Sequence, residues 1–197
     1  GEDGPTHQPI EHIVTLRSTP NLNNWRPADL VETAVAWKNA VCSKITPTCL
    51  IFSRQGTSAI GRTPEQISAI EMGGYLLKEK KDNDITIVAS GSEVQLALDA
   101  AKELENKSIN ANVVSMPSLD IFLQQSSEFQ KMVIDPNKPV LVVECAHPNS
   151  WYKILNRSDK VLGIETFGES APGGELLEHF GFNKEKVIQA AKSLIDD

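Results

Sequence analysis

Short apolar runs and helically spaced apolar residues follow one another along the whole chain. The runs are typical of strands buried on both faces, and they lie at 48–53, 85–89, 111–116, 140–144 and 161–164. Apolar residues at helical spacing occupy 10–16, 29–43, 93–107, 121–129 and 187–194. Weaker signals predict strands at 22–26 and 75–77 and a short helix at 151–155. Strands that alternate with helices predict an α/β fold with a mainly parallel sheet.

The helix predicted at 29–43 has Asp29 near its start. Its apolar residues at helical spacing predict a buried stripe, formed by Leu30, Ala34, Val35, Trp37 and Val41. We interpret His12, Trp25 and Trp37 as structural residues.

A polar, glycine-rich stretch separates two units. Residues 55–74 carry only a modest helical signal at 65–70 and are typical of an interdomain linker. The predicted division is therefore a first unit at 1–55, a linker at 56–73 and a second unit at 74–197.

The composition is that of a globular protein, with 40% hydrophobic and 23% charged residues. The net charge of −7 argues against binding to nucleic acid or to an anionic membrane, which favour a basic surface. No apolar run approaches the roughly 20 residues that span a bilayer. Cys42, Cys49 and Cys145 are scattered and odd in number, which favours buried packing residues in a reducing compartment over disulfides or metal ligands.

The opening residues 1–9 (GEDGPTHQP) concentrate polar chemistry within a frame of glycines and prolines. Gly4 permits a close backbone approach or a positive φ. Asp3 and His7 are near enough to reach one polar ligand, with His7 as donor or general acid–base. The alternative is a solvated turn in which Asp3 caps the following helix. Because the loop opens the chain with no strand or helix before it, we expect the chain to begin within a domain.

Arg54 directly follows the apolar run at 48–53. Ligands bind beyond the carboxyl ends of parallel strands, where an arginine makes bidentate contacts to phosphate. The alternative is a surface arginine that closes the strand.

The second unit offers weaker chemical signals. Residues 90–93 (SGSE) follow a predicted strand and open a predicted helix, an arrangement that binds anions through backbone N–H groups. We favour the interpretation that Ser92 caps the helix and Gly91 supplies a tight turn. We interpret His147 and His179 as structural and residues 167–174 as a loop, and we find no metal-ligand spacing. No catalysis is therefore assigned to this unit.

Ordered blocks of sequence resemble the transketolase family over nearly the whole chain. The opening loop resembles the signature loop of the pyrimidine-binding domain, and the resemblance continues through LRSTPN (16–21), WRPAD (25–29) and SRQ (53–55). GGYLL (73–77), SGSEV (90–94), VSMP (114–117) and FGESAP (167–172) resemble the C-terminal domain. The THQP ending favours transketolase over deoxyxylulose-phosphate synthase and the pyruvate dehydrogenase β subunit, and dihydroxyacetone synthase is a closer alternative. Gly56 and Thr57 replace the Asn-Leu of the family pattern.

The resemblance implies a truncated parallel α/β segment of the pyrimidine-binding domain at 1–55. A three-layer α/β C-terminal domain with a mainly parallel sheet follows the linker, at 74–197, and resembles a module that supports dimerisation. A partial pyrimidine-binding domain is expected to expose apolar surface.

The resemblance also implies a transferase of the pentose phosphate pathway, which moves a two-carbon ketol unit from a ketose phosphate to an aldose phosphate. Such enzymes use thiamine diphosphate and a divalent cation, Mg or Ca. By the match, Asp3 hydrogen-bonds a substrate hydroxyl, His7 is catalytic and binds substrate, and Arg54 binds the sugar phosphate. The main cofactor and metal ligands are expected to be absent from this chain, so no cofactor-binding or metal residue is assigned.

The full-length protein is expected to be a cytoplasmic homodimer that binds sugar phosphates and neither nucleic acid nor membrane. For the isolated chain three hypotheses stand: an inactive C-terminal part of a transketolase, a non-catalytic dimerisation or anion-binding module, or one half of a split transketolase-like enzyme.

Overall fold

The computed structural model describes residues 2–196. Gly1, the first residue of the opening motif, and Asp197 lie outside the described residues. The strands of the described residues form a two-stranded parallel sheet and a five-stranded sheet, which belong to the first and second units.

The first unit is built around the two-stranded sheet. Its elements are α1 (His12–Ser18), β1 (Asn23–Trp25), α2 (Leu30–Cys42) and β2 (Thr48–Leu50). The two strands are parallel and pair from Asn23 opposite Thr48 to Trp25 opposite Leu50. These elements confirm the helices and strands predicted over residues 10–53 to within a few residues.

Helix α2 begins where the sequence places Asp29. The Asp29 carboxylate accepts hydrogen bonds from the backbone N–H groups of Val31 and Glu32, each at 3.1 Å. These bonds satisfy donors that have no partner within the helix itself, so Asp29 fixes the start of α2.

The predicted buried stripe of α2 is wrong. Its members are exposed or only partly buried: Leu30 (83% exposed), Ala34, Val35, Trp37 (53%) and Val41 (77%). The buried positions are instead Glu32 and Ala36, which lie one turn apart. Glu32 accepts hydrogen bonds from the hydroxyls of Tyr75 and Ser115, at 2.7 and 2.6 Å, and these bonds turn its face of the helix inward.

A helix lies within the predicted linker. Helix α3 (Pro64–Ala69) is followed by a 3₁₀ turn (Ile70–Met72), which confirms the modest helical signal at 65–70. Thr63 and Gln66 form a reciprocal capping box at its start. The division into units at 55 and 74 stays a prediction.

The second unit contains the five-stranded sheet, in the order β3-β5-β4-β6-β7. Its strands are β3 (Tyr75–Lys78), β4 (Ile85–Ala89), β5 (Ala111–Ser115), β6 (Val140–Val143) and β7 (Lys160–Leu162). All neighbours are parallel except β3, which runs antiparallel at one edge. The mainly parallel sheet and the edge strand expected at 75–77 are thereby confirmed.

Helices cover both faces of this sheet and complete three layers. One face packs against α4 (Glu93–Glu105) and α8 (Lys184–Asp196). The other packs against α5 (Leu119–Leu123), α6 (Ser127–Val133) and a 3₁₀ helix (Pro148–Lys153). The core therefore lies on both sides of the central strands, as expected of strands that are apolar throughout.

Two helical segments differ from expectation. Helix α7 (Gly173–His179) was not predicted, because its two initial glycines weaken the helical signal. The single helix predicted at 121–129 is two helices, α5 and α6, since the Ser126 hydroxyl accepts a hydrogen bond from the Phe129 N–H and starts α6 there.

The predicted packing residues differ in their burial. Trp25 is fully buried, whereas Trp37 is exposed. All three cysteines are free, and Cys49 and Cys145 are partly buried. Cys42 is exposed at the end of α2, so its interpretation as a buried packing residue is wrong. Within residues 2–196, no helix is long and apolar enough to cross a membrane.

Candidate active site

The described part of the opening loop, residues 2–9, is a turn that presents Asp3 and His7 on one side. Gly4 adopts a φ of +77°, which confirms the positive φ expected there. The His7 N–H donates to the Gly4 carbonyl at 3.1 Å, and this bond closes the turn. The Thr6 hydroxyl lies 2.9 Å from Nδ1 of His7.

Arg54 approaches this loop from the segment that follows β2. Its Nε lies 3.4 Å from an Asp3 carboxylate oxygen, and both side chains keep contact with solvent. Helix α1 follows Glu11 and receives no side-chain cap from the described residues, so the alternative in which Asp3 caps this helix is wrong.

Asp3, His7 and Arg54 line one cavity of about 510 Å³. The structure thus brings together all three residues that the sequence singled out. Carboxylate, imidazole and guanidinium groups side by side provide an acceptor, a proton-transfer group and an anion-binding group. Such a set suits a substrate that carries both hydroxyls and a phosphate.

The second unit forms another wall of the same cavity. The lining includes residues from the start of α4 and from the segment around α7, among them Ser92, Gly168, Gly173 and Leu176. This contribution could not be predicted from the sequence, because contacts between distant segments leave no local pattern.

In the loop at 90–93, Ser92 does not cap α4 as expected. Ser92 makes no capping hydrogen bond within the described chain, and its hydroxyl donates instead to Glu93 at 2.6 Å. Gly91 has a φ of +57°, which confirms the tight turn. The Arg26 guanidinium packs against Gly91 and donates to Glu93 at 2.5 Å, so this loop already holds a cation of the first unit.

A second buried ion pair joins the two units beside this loop. Two nitrogens of Arg17 donate to the two carboxylate oxygens of Glu144, at 2.7 and 2.8 Å. The Trp151 indole N–H donates to Glu144 at 2.7 Å, and the Ser90 hydroxyl also donates to it. Arg26 lies 3.8 Å from the same carboxylate.

These ion pairs shift the pKa values of Glu144 and Arg26. Burial alone would raise the pKa of Glu144, but Arg17 and Arg26 outweigh it and lower that pKa to about 2. Burial opposes the charge of Arg26, yet Glu93 and Glu144 hold its pKa above the ordinary arginine value. Both partners therefore stay charged in the folded protein.

A further buried network ties α2 to the second unit. Arg62 donates to Asp29 at 2.6 Å and to Glu32 at 3.2 Å, and its side chain is 1% exposed. The Tyr75 hydroxyl joins through Glu32, and burial is the main cause of its raised pKa. No signal in the sequence pointed to this network, because Glu32 lies outside the apolar stripe that the pattern of α2 predicts.

The remaining histidines of the described chain have structural surroundings or face solvent. His12 is exposed, and Nδ1 of His147 accepts a weak hydrogen bond from Asn149 at 3.4 Å. His179 stacks edge-on against Phe180. Across residues 2–196, no group of three or more histidine, cysteine, aspartate or glutamate side chains could hold a metal ion.

Comparison with known proteins decides the family. Residues 1–58 match the family model described as "Transketolase, pyrimidine binding domain", and residues 73–183 match the "Transketolase-like TK C-terminal domain". The chain belongs to the transketolase family. Transketolase 2 of Vibrio parahaemolyticus is 45% identical over 197 residues, which are 99% of this chain and 30% of that protein.

Solved transketolase structures share the fold. The Pichia stipitis transketolase in complex with sedoheptulose 7-phosphate has a TM-score of 0.93 and 41% identity, over 100% of this chain and 28% of that one. The protein described as a split-gene transketolase, an inactive β4 tetramer, has a TM-score of 0.72 and 27% identity, over 98% of this chain and 64% of that one. The chain thus spans about a third of the length of the full transketolases that it matches.

Proposed function

We propose that this chain is the part of a transketolase that binds the substrate sugars. The complete enzyme transfers a two-carbon ketol unit from a ketose phosphate to an aldose phosphate. The observation that carries the proposal is the convergence of Asp3, His7 and Arg54 on one cavity. The sugar phosphate bound to the Pichia stipitis relative supports the substrate class.

Each of the three residues has a role that fits its chemistry. Asp3 accepts a hydrogen bond from a substrate hydroxyl near the reacting carbons. His7 assists proton transfer or holds the substrate oxygens. Arg54 binds the phosphate, since a guanidinium presents paired donors to phosphate oxygens. Charge-assisted contacts of this kind contribute roughly 1.5–3 kcal/mol each.

Thiamine diphosphate and a divalent cation, Mg or Ca, are the cofactors that the family implies. The described residues do not fit the metal, because residues 2–196 contain no group of acidic, histidine or cysteine side chains that could hold it. We therefore propose that the cofactor and metal bind to parts of the enzyme other than this chain, and that the chain alone does not catalyse ketol transfer. We propose, on the same family grounds, a cytoplasmic homodimer.

A split enzyme is the second candidate. The likeness to the split-gene transketolase, which this chain matches over 98% of its own length, favours it. A non-catalytic dimerisation or anion-binding module is the remaining alternative, and it predicts no dependence of activity on His7.

A chimera tests the proposed function. This chain replaces the matched region of the Pichia stipitis transketolase, and ketol transfer between sugar phosphates is measured with thiamine diphosphate and a divalent cation. We expect transfer, and we expect His7→Ala in the chimera to lower turnover roughly 100-fold or more. A folded chimera without transfer, or one indifferent to His7→Ala, contradicts the proposal. Activity on mixing this chain with the separately expressed remainder favours the split enzyme.

A further inference from the structure

The segment that precedes α7 contacts the opening loop directly. We name residues 167–173 the bridging loop, of which Gly173 is also the first residue of α7. The Ser170 hydroxyl donates to the Glu2 backbone carbonyl at 2.7 Å, beside Asp3. A Cβ atom on Gly168 would lie 3.1 Å from the Gln8 carbonyl oxygen, so the two backbones are in close contact beside His7. The bridging loop thus contacts the opening loop near both ends of the opening loop, at Glu2 and at Gln8.

The other end of the bridging loop meets the segment that carries Arg54. A Cβ atom on Gly173 would collide with the side-chain amide of Gln55, the neighbour of Arg54. One loop of the second unit therefore lies against both segments that supply the proposed site residues.

The downstream end of the opening loop has supports of its own. The His147 N–H donates to the Ile10 carbonyl at 3.1 Å, and Arg17 is bound to Glu144 through two hydrogen bonds. At the upstream end, the Ser170 hydroxyl donates to the opening-loop backbone from the second unit. We therefore expect loss of the Ser170 bond to affect the turn at Asp3 more than the position of α1, which is held by Arg17 and Glu144.

We propose that Ser170 is a positioning residue for ketol transfer. It holds the upstream end of the opening loop so that Asp3 and His7 face the cavity. The second unit, to which the sequence assigns no catalysis, thereby sets the geometry of the catalytic loop. The expected effect of Ser170 on ketol transfer rests on the proposed function. Its expected effect on the position of the opening loop rests on the contacts within this chain alone.

Hydrogen exchange of the His7 amide in the 197-residue chain tests the structural part, by NMR. This amide donates to Gly4 and reports whether the turn is closed. We expect Ser170→Ala to speed the exchange of this amide roughly fivefold, because the variant loses the stabilisation of the turn by one hydrogen bond. Ser170→Thr keeps the hydroxyl and is expected to restore slow exchange.

Ser68→Ala is the matched control. The Ser68 hydroxyl also donates to a backbone carbonyl, that of Pro64, at 3.0 Å, but the bond lies within α3. We expect this variant to leave exchange at His7 unchanged. Equal exchange in wild type and Ser170→Ala, or equal acceleration in Ser68→Ala, overturns the proposal.

Kinetics in the chimera distinguish positioning from a general loss of structure. Ser170→Ala is expected to lower kcat roughly fivefold and to change the KM for the sugar phosphate less, because Arg54, the proposed phosphate ligand, lies in the segment after β2 and not in the opening loop. Ser170→Thr is expected to recover kcat. An unchanged kcat overturns the positioning role. A wild-type chimera without transfer contradicts the proposed function instead, and the exchange measurement on the chain then still decides whether Ser170 holds the loop.

Discussion

Arg17 and Glu144, 127 residues apart, form a two-bond ion pair whose side chains are 6% and 1% exposed. The pair joins α1, just after the opening loop, to the end of β6 in the second unit. A buried ion pair adds little net stability, because removing both charges from water costs about as much as their attraction returns. We therefore expect the pair to act mainly on specificity, because a placement of α1 that separated the two side chains inside the protein would leave a buried charge unpaired.

Removing the Glu144 charge is expected to destabilise the chain strongly. Glu144→Gln keeps the shape of the side chain but leaves Arg17 and Arg26 buried near a neutral group. We expect a loss of about 3–5 kcal/mol in the free energy of unfolding, measured by urea denaturation. Glu103→Gln is the control, because the Glu103 pair with Lys107 lies at the surface. A loss no larger than that of the control contradicts the role of the pair.

Stability should also depend on pH through the same carboxylate. The folded pKa of Glu144 is about 2, below its ordinary value of 4.5. The stabilisation is therefore complete above pH 4.5 and is lost as the pH falls towards 2, by about 3 kcal/mol in all. Denaturant titrations at successive pH values measure it. Between pH 4.5 and 2, the wild type should lose more stability than Glu144→Gln. If stability fell equally with pH in the two proteins, Glu144 would not be the source of the pH dependence.

Gly91 is expected to tolerate no side chain. Its φ of +57° is unfavourable for other residues, and a Cβ atom would lie 2.9 Å from the buried Arg26 guanidinium. We expect Gly91→Ala to cost about 1–3 kcal/mol, measured as a shift in the denaturation midpoint. Gly174→Ala is the control, because a Cβ atom at Gly174 meets nothing within 4 Å. Equal effects of the two substitutions would refute this reasoning.

The sequence predicted those parts of the fold that depend on local pattern. The strand predicted at 85–89 has the same bounds as β4, because an apolar strand of a parallel sheet can be recognised from its own residues. The buried face of α2 could not be predicted, since the inward orientation of Glu32 depends on distant partners such as Tyr75 in β3 and Ser115 in β5. Asp3, His7 and Arg54 were found from motifs that resemble a family. Ser170 and Glu2, which are joined by a hydrogen bond, lie 168 residues apart in the sequence, and no local pattern predicts this contact.

Arg54 is expected to act on substrate binding with almost no effect on stability. Its ion pair with Asp3 is solvent-exposed, at 72% and 45% for the two side chains, so the pair contributes little to folding. A phosphate offers Arg54 a stronger partner, since two guanidinium N–H groups can donate in parallel to two charged phosphate oxygens. In the chimera, Arg54→Ala should raise the KM for phosphorylated sugars roughly 10-fold or more and leave that for unphosphorylated sugars unchanged.

Arg157→Ala provides the comparison for this last measurement, because Arg157 is also exposed but does not line the cavity. We expect it to leave both KM values unchanged, and we expect the free energy of unfolding to be similar in the two variants. If Arg54→Ala raised the KM for both kinds of sugar equally, its loss would have altered the cavity as a whole. Phosphate binding by Arg54 would then be the wrong interpretation, and its contact with Asp3 would be the interaction that matters for the substrate.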